Sequence, residues 1–155
     1  MAYRIDGLDP TPFRPLFLLS GAALSRSGAR RVIADSRPGF PCRSTLEDAE
    51  PGERLLLVHH VSHDVATPFR SAFAIYVREV ADSAACYVDA VPPVFEGRTL
   101  SLRGFDEEGM LRGAVLAPPG EADAAIRDMF ANPRISVIHA HNAAPGCFAA
   151  KIVRN

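Results

Sequence analysis

The chain has 155 residues, 48% of them hydrophobic and 23% charged, with a formal net charge of −1. Such a chain can bury one core without disulfide or metal staples, so a single domain spanning residues 1–155 is expected. The near-zero charge excludes a general attraction to nucleic acid or an anionic membrane, and a tryptophan-free chain with 8% aromatics offers little for base stacking.

Thirteen prolines and eleven glycines cut the chain into short segments, which excludes a helical bundle. "YRID" (3–6) alternates like a strand and meets a turn at "GLDPTP". "PFRPLFLL" suits a short helical turn with Phe13, Leu16 and Phe17 inward. "SGAALSRSG" reads as a two-turn helix, with Ser20 as its N-terminal cap and Gly28 past its end. "ARRVIAD" (29–35), "RLLLVHHV" (54–61) and "FAIYVRE" (73–79) are strands, and the continuous apolar start of the second predicts cover on both faces.

"VPPVFEGR" is irregular or one short turn. "TLSLRGFD" (99–106) and "MLRGAVLA" (110–117) flank a bend at Gly109 and read as a hairpin. In "EADAAIRDMFANP", Ala122, Ile126, Met129 and Phe130 share one helical face, and Asn132-Pro133 stop the helix. "RISVIHAH" (134–141) and "CFAAKIVR" (147–154) are strands joined by "NAAPG". The expected class is α+β: a mostly antiparallel, curved sheet or open barrel of about seven or eight strands with two or three short helices.

Two punctuated segments carry the chemistry. "ADSRPGFPCR" places Cys42 in a turn stiffened by Pro38, Gly39 and Pro41, and "HAHNAAPGCF" places Cys147 just after Pro145-Gly146. Side chains alternate along a strand, so Val137, His139 and His141 share a face, with Ile138 and Ala140 on the other. A tight hairpin brings Cys147 near those histidines. If the two segments meet, they form one polar pocket.

Three readings of that pocket compete. In the plainest one the cysteines are buried small hydrophobes and the histidines bond to backbone. In the second, Cys42 is a nucleophile, His139 or His141 its base, and Asp35 orients the base. In the third, His139 and His141 with Cys147 or Cys42 ligate zinc, although neither Cys-x-x-Cys nor His-Glu-x-x-His spacing is present. A Cys42–Cys147 disulfide is disfavoured, because three cysteines are an odd count that suggests a reducing cytoplasm.

Sixteen of the 17 basic residues are arginine. Arg43 or Arg70 is a candidate holder for a small anionic molecule, whose two-point geometry suits guanidinium. No dinucleotide or phosphate-loop glycine motif and no nucleophile elbow occurs, so no cofactor is expected. The N-terminus lacks a signal-peptide pattern, and no apolar run reaches membrane-spanning length.

These residues together resemble an uncharacterised bacterial family, domain of unknown function 1203. The matching pieces are Ala34-Asp35, Pro38-Gly39-Phe40-Pro41-Cys42-Arg43, Leu46, Asp48-Ala49 and Gly52-Glu53. Pro68-Phe69-Arg70, Val77-Arg78, Arg103, Phe105-Asp106, His141-Asn142 and Gly146-Cys147 continue the match. Phe69 stands where tyrosine is expected, so no phenol acts there. The resemblance implies a single domain and pairs the two cysteine segments as signature elements. It implies no reaction, cofactor or partner.

The functional expectation is therefore thiol-dependent transfer or redox chemistry on a small molecule, with Cys42, His139, His141 and Asp35 as catalytic candidates and Arg43, Arg70 and Cys147 as ligand-binding candidates. The alternative is a non-catalytic binding or assembly module, a homodimer with structural cysteines.

Overall fold

The computed structural model describes residues 1–155. Nine strands form: β1 (Tyr3–Asp6), β2 (Arg30–Ile33), β3 (Arg54–His63), β4 (Ser71–Arg78), β5 (Cys86–Val88), β6 (Leu100–Phe105), β7 (Leu111–Ala117), β8 (Val137–Asn142) and β9 (Phe148–Arg154). Helices α1 (Gly21–Arg26) and α2 (Ala122–Phe130) join 3-10 segments at Thr11–Leu18 and Pro93–Phe95. A six-stranded sheet runs β5-β1-β9-β8-β6-β7 and a three-stranded sheet runs β2-β3-β4. All ladders within the two sheets are antiparallel, and neither sheet closes on itself, giving an open α+β fold.

Local rules account for most elements. Ser20 caps α1 by accepting the Ala23 N–H, and Gly28 takes the left-handed conformation (φ 76°) after the helix. Leu16, Phe17 and buried Phe13 pack beneath β3 and β4 on Leu56, Ile75 and Val77. In α2 the buried residues are Ala122, Ile126, Met129 and Phe130, the face read from the spacing. Each of the larger three contributes about 1.5–3 kcal/mol by leaving water. They meet Leu102, Ile138 and Ala140 on one face of the large sheet.

Strand β5 is absent from the sequence reading. It is three residues long and pairs with the outer edge of β1, so tertiary contact rather than local pattern creates it.

The other face of the large sheet meets the small sheet. His139 and His141 project from β8 into this seam, against Phe73 of β4, His63 of β3, and Phe105 and Phe148. Strand alternation thus sends Ile138 and Ala140 to the α2 side and the imidazoles to the seam.

The loop after β2 is tied to both sheets. The Arg43 N–H donates to the Tyr76 carbonyl at 3.0 Å, and the Leu8 N–H donates to the Arg43 carbonyl at 2.7 Å. Gly7 permits this approach: a Cβ there would lie 2.1 Å from the Ser44 carbonyl oxygen.

Candidate active site

The loop 39–49 folds on itself before it meets anything else. The Cys42 N–H donates to the Glu47 carbonyl at 2.9 Å, and the Ala49 N–H donates to the Phe40 carbonyl at 3.0 Å. Asp48 accepts the Gly39 N–H at 3.1 Å and a two-point bond from Arg98 at 2.7 and 2.8 Å. Burial alone would raise the Asp48 carboxyl, but Arg98 and the Gly39 amide outweigh it and hold the group below its ordinary range.

Cys42 is 0% exposed. Its sulfur accepts backbone N–H groups from Arg78 at 3.3 Å, Ser44 at 3.4 Å and Thr45 at 3.5 Å. It sits between the loop and β4 as an anchor, away from solvent.

The next residue turns the other way. Arg43 is 2% exposed, and no carboxylate lies in ion-pair contact with it. Its Nε donates to the Phe148 carbonyl at 2.7 Å, one Nη donates to the Pro41 carbonyl, and the other reaches Cys147 Sγ at 3.2 Å. Burial presses its pKa down, opposed by the neighbouring sulfurs. An isolated buried cation is costly, so this one needs an anion beside it.

Cys147 is half-buried and ends the turn between β8 and β9. Asn142 and Cys147 face each other across that turn: the Asn142 N–H donates to the Cys147 carbonyl at 3.0 Å, and the Asn142 Nδ2 donates to Cys147 Sγ at 3.4 Å. Gly146, at φ 76°, supplies the left-handed residue that closes the turn. Two N–H donors therefore converge on one sulfur. A cleft of about 600 Å³ opens there, lined among others by Arg43, Tyr76, Arg98, Asn142, Pro145 and Cys147.

The two punctuated segments thus meet, through Arg43 and Cys147. The imidazoles stand behind them. His141 donates Nδ1–H to the Gly146 carbonyl at 3.0 Å and braces the turn. His139 lies deeper, its ring 5.0 Å from that of His63. Burial holds His141 down to about 4, with the Gly146 carbonyl opposing and Arg103 and Arg43 assisting. Burial, then His63 and His141, hold His139 down to about 3. Both are neutral at neutral pH, and neither is hydrogen-bonded to a cysteine.

Asp35 is exposed and accepts the Ser36 hydroxyl at 3.0 Å. Arg70 is exposed, pairs with Asp64 at 2.8 Å and lines no part of the cleft. No three His, Cys, Asp or Glu side chains are grouped to hold a metal ion, and all three cysteines are free. Asn142 is not among the residues that the sequence nominates; its position opening the "NAAPGC" turn is the available signal.

Residues 39–154 match the family model described as protein of unknown function, DUF1203. The chain belongs to this family. The matched span of the DUF1203 chain includes every residue of the cleft and leaves out β1 and β2. No curated protein and no solved structure matches the chain.

Proposed function

We propose that this DUF1203 protein performs thiol-dependent transfer chemistry on a small molecule, with Cys147 as the nucleophile. The observation that carries the reading is the buried Arg43 guanidinium, which has no carboxylate partner and donates to Cys147 Sγ at 3.2 Å. The sulfur reacts as its thiolate, and Arg43 and Asn142 hold that charge in place. Sulfur forms a bond to the electrophilic atom, the leaving group departs with its electron pair, and a second nucleophile later releases the transferred group. Cys42 anchors the loop that carries Arg43. The absence of disulfides suits a reducing cytoplasm, where such a thiol stays available.

Methyl methanethiosulfonate labelling, followed by mass spectrometry, tests this. Cys147 should be modified about tenfold faster than exposed Cys86 at pH 7. Equal or slower modification removes the reading.

Two other readings have their own support. A small anion would use the same Arg43 charge in place of the thiolate. A homodimeric module would pair through β7, an edge strand of the large sheet where Leu116 is 68% exposed. Light scattering across a concentration series separates that case: a constant monomer mass excludes it.

A further inference from the structure

Resting on the Cys147 reading, we infer that the group this cleft recognises is a neutral carboxamide: a carbonyl oxygen and an N–H donor carried on one carbon. Three features of the site point there.

The first is charge. Arg98 is already engaged by Asp48 at 2.7 Å, so Arg43 is the one cation facing the sulfur without a carboxylate of its own. One positive charge balances one negative charge. With a thiolate on Arg43, a second anion in the cleft would be repelled, whereas a neutral group would not.

The second is the unused donors. A guanidinium carries five N–H bonds. Arg43 directs three of them to Phe148, Pro41 and Cys147, which leaves two for a ligand oxygen.

The third is an unused acceptor. Asn142 is 8% exposed and lines the cleft; its Nδ2 donates to Cys147, but its Oδ1 is buried with no partner at all. A buried unmet acceptor costs about 1–3 kcal/mol. A substrate N–H beside the sulfur relieves that cost, and an ester or a carboxylate supplies no such donor. Beside Tyr76, Arg98 and Thr99, the lining includes a small apolar stretch of Ala74, Ala143, Ala144 and Pro145, which fits a short hydrocarbon remainder.

The chemistry then becomes acyl transfer. The thiolate forms an S–C bond at the carbonyl carbon and the C=O π pair moves to oxygen. The negative charge passes from sulfur to oxygen within reach of one guanidinium, so no new cation is required. Collapse re-forms the C=O and breaks the C–N bond; the nitrogen leaves with that pair and takes a proton from water in the open cleft. The hydroxide left by that proton transfer then attacks the thioester carbonyl, the S–C bond breaks with its pair going to sulfur, and the thiolate returns as the carboxylic acid departs.

Three alkylating probes of nearly one size test the recognition: iodoacetamide, methyl iodoacetate and iodoacetate. Rates are read by mass spectrometry at Cys147 and at Cys86 in the same chain. The amide-to-ester rate ratio at Cys147 should exceed that at Cys86 about tenfold, as expected for one buried bond made or missed. Asn142→Leu should reduce the Cys147 ratio to the Cys86 value. Asn142→Asp, which keeps an acceptor, should retain the ratio while slowing all three probes. A wild-type ratio equal at the two cysteines, or iodoacetate reacting fastest at Cys147, overturns the carboxamide inference and leaves the nucleophile standing. Slow reaction of Cys147 with all three probes and with the thiosulfonate removes the nucleophile itself, and the inference with it.

Discussion

Arg43 and Cys147, 104 residues apart in the chain, meet at 3.2 Å through a guanidinium N–H and a sulfur. The contact joins the loop after β2 to the turn between β8 and β9, and each side is braced independently. Tyr76 holds the Arg43 backbone, and His141 holds the turn by donating to Gly146. The geometry is therefore set before any ligand arrives, which lowers the cost of orienting one.

Arg43→Met keeps the length of the side chain but removes the charge and every donor. Cys147 modification at pH 7 should slow about tenfold or more, since charge-assisted bonds contribute about 1.5–3 kcal/mol. Arg43→Lys should restore part of the rate, because a point charge remains although the fork is lost. Unchanged labelling of Arg43→Met would show that the guanidinium does not set the reactivity of the thiol.

Cys42 makes a contrasting case. Its sulfur accepts three backbone N–H groups in a fully buried position. Cys42→Ala should lower stability in urea by about 1–3 kcal/mol, the range for leaving buried donors unmet. In the folded variant, Cys147 should keep its labelling rate to within about twofold, well inside the tenfold effect of a lost ionic contact. Loss of labelling without loss of stability would return Cys42 to a direct chemical role.

The seam between the sheets should make stability depend on pH. His139 and His141 titrate at about 3 and about 4 when folded, and near 6.5 when unfolded. Arg103 and Lys151 face them from the large sheet, His63 faces His139 from the small sheet, and Arg43 faces His141 from the loop, all opposing protonation. Their folded values are depressed, so the stability they contribute is complete above pH 6.5 and is lost as pH falls towards 4 and 3. Each adds a slope of up to about 1.4 kcal/mol per pH unit in that window. Chemical denaturation should show the slope between pH 6.5 and 4.5, and His139→Phe should reduce it by up to about 1.4 kcal/mol per pH unit, the share of one group. An identical slope in that variant would assign the acid sensitivity elsewhere.

Gly7→Ala tests the floor under the loop. The added methyl would press on the Ser44 carbonyl at 2.1 Å, where backbone cannot yield cheaply. A loss of about 1–3 kcal/mol is expected, with Cys147 labelling slowed as the Arg43 loop shifts. Full stability together with full reactivity would show that β1 does not support the site.

Eight of the nine strands and both α-helices follow from local signals: alternation in "SVIHAH", the apolar face of α2, the cap at Ser20 and the bends at Gly28 and Gly109. These signals depend on neighbours within a few residues, which a sequence displays directly. The same alternation separated His139 and His141 from Ile138 and Ala140. What a sequence does not display is which of two similar cysteines reaches water. Both follow proline and lie in turns, yet β4 seals Cys42 while Cys147 opens to the cleft. Only packing of the two sheets decides that, and with it the pairing of Arg43 with sulfur and the placing of the imidazoles behind the site. Burial and charge pairing arise from contacts between residues distant in the chain, Arg43 and Phe148 being 105 positions apart, and no local pattern encodes them.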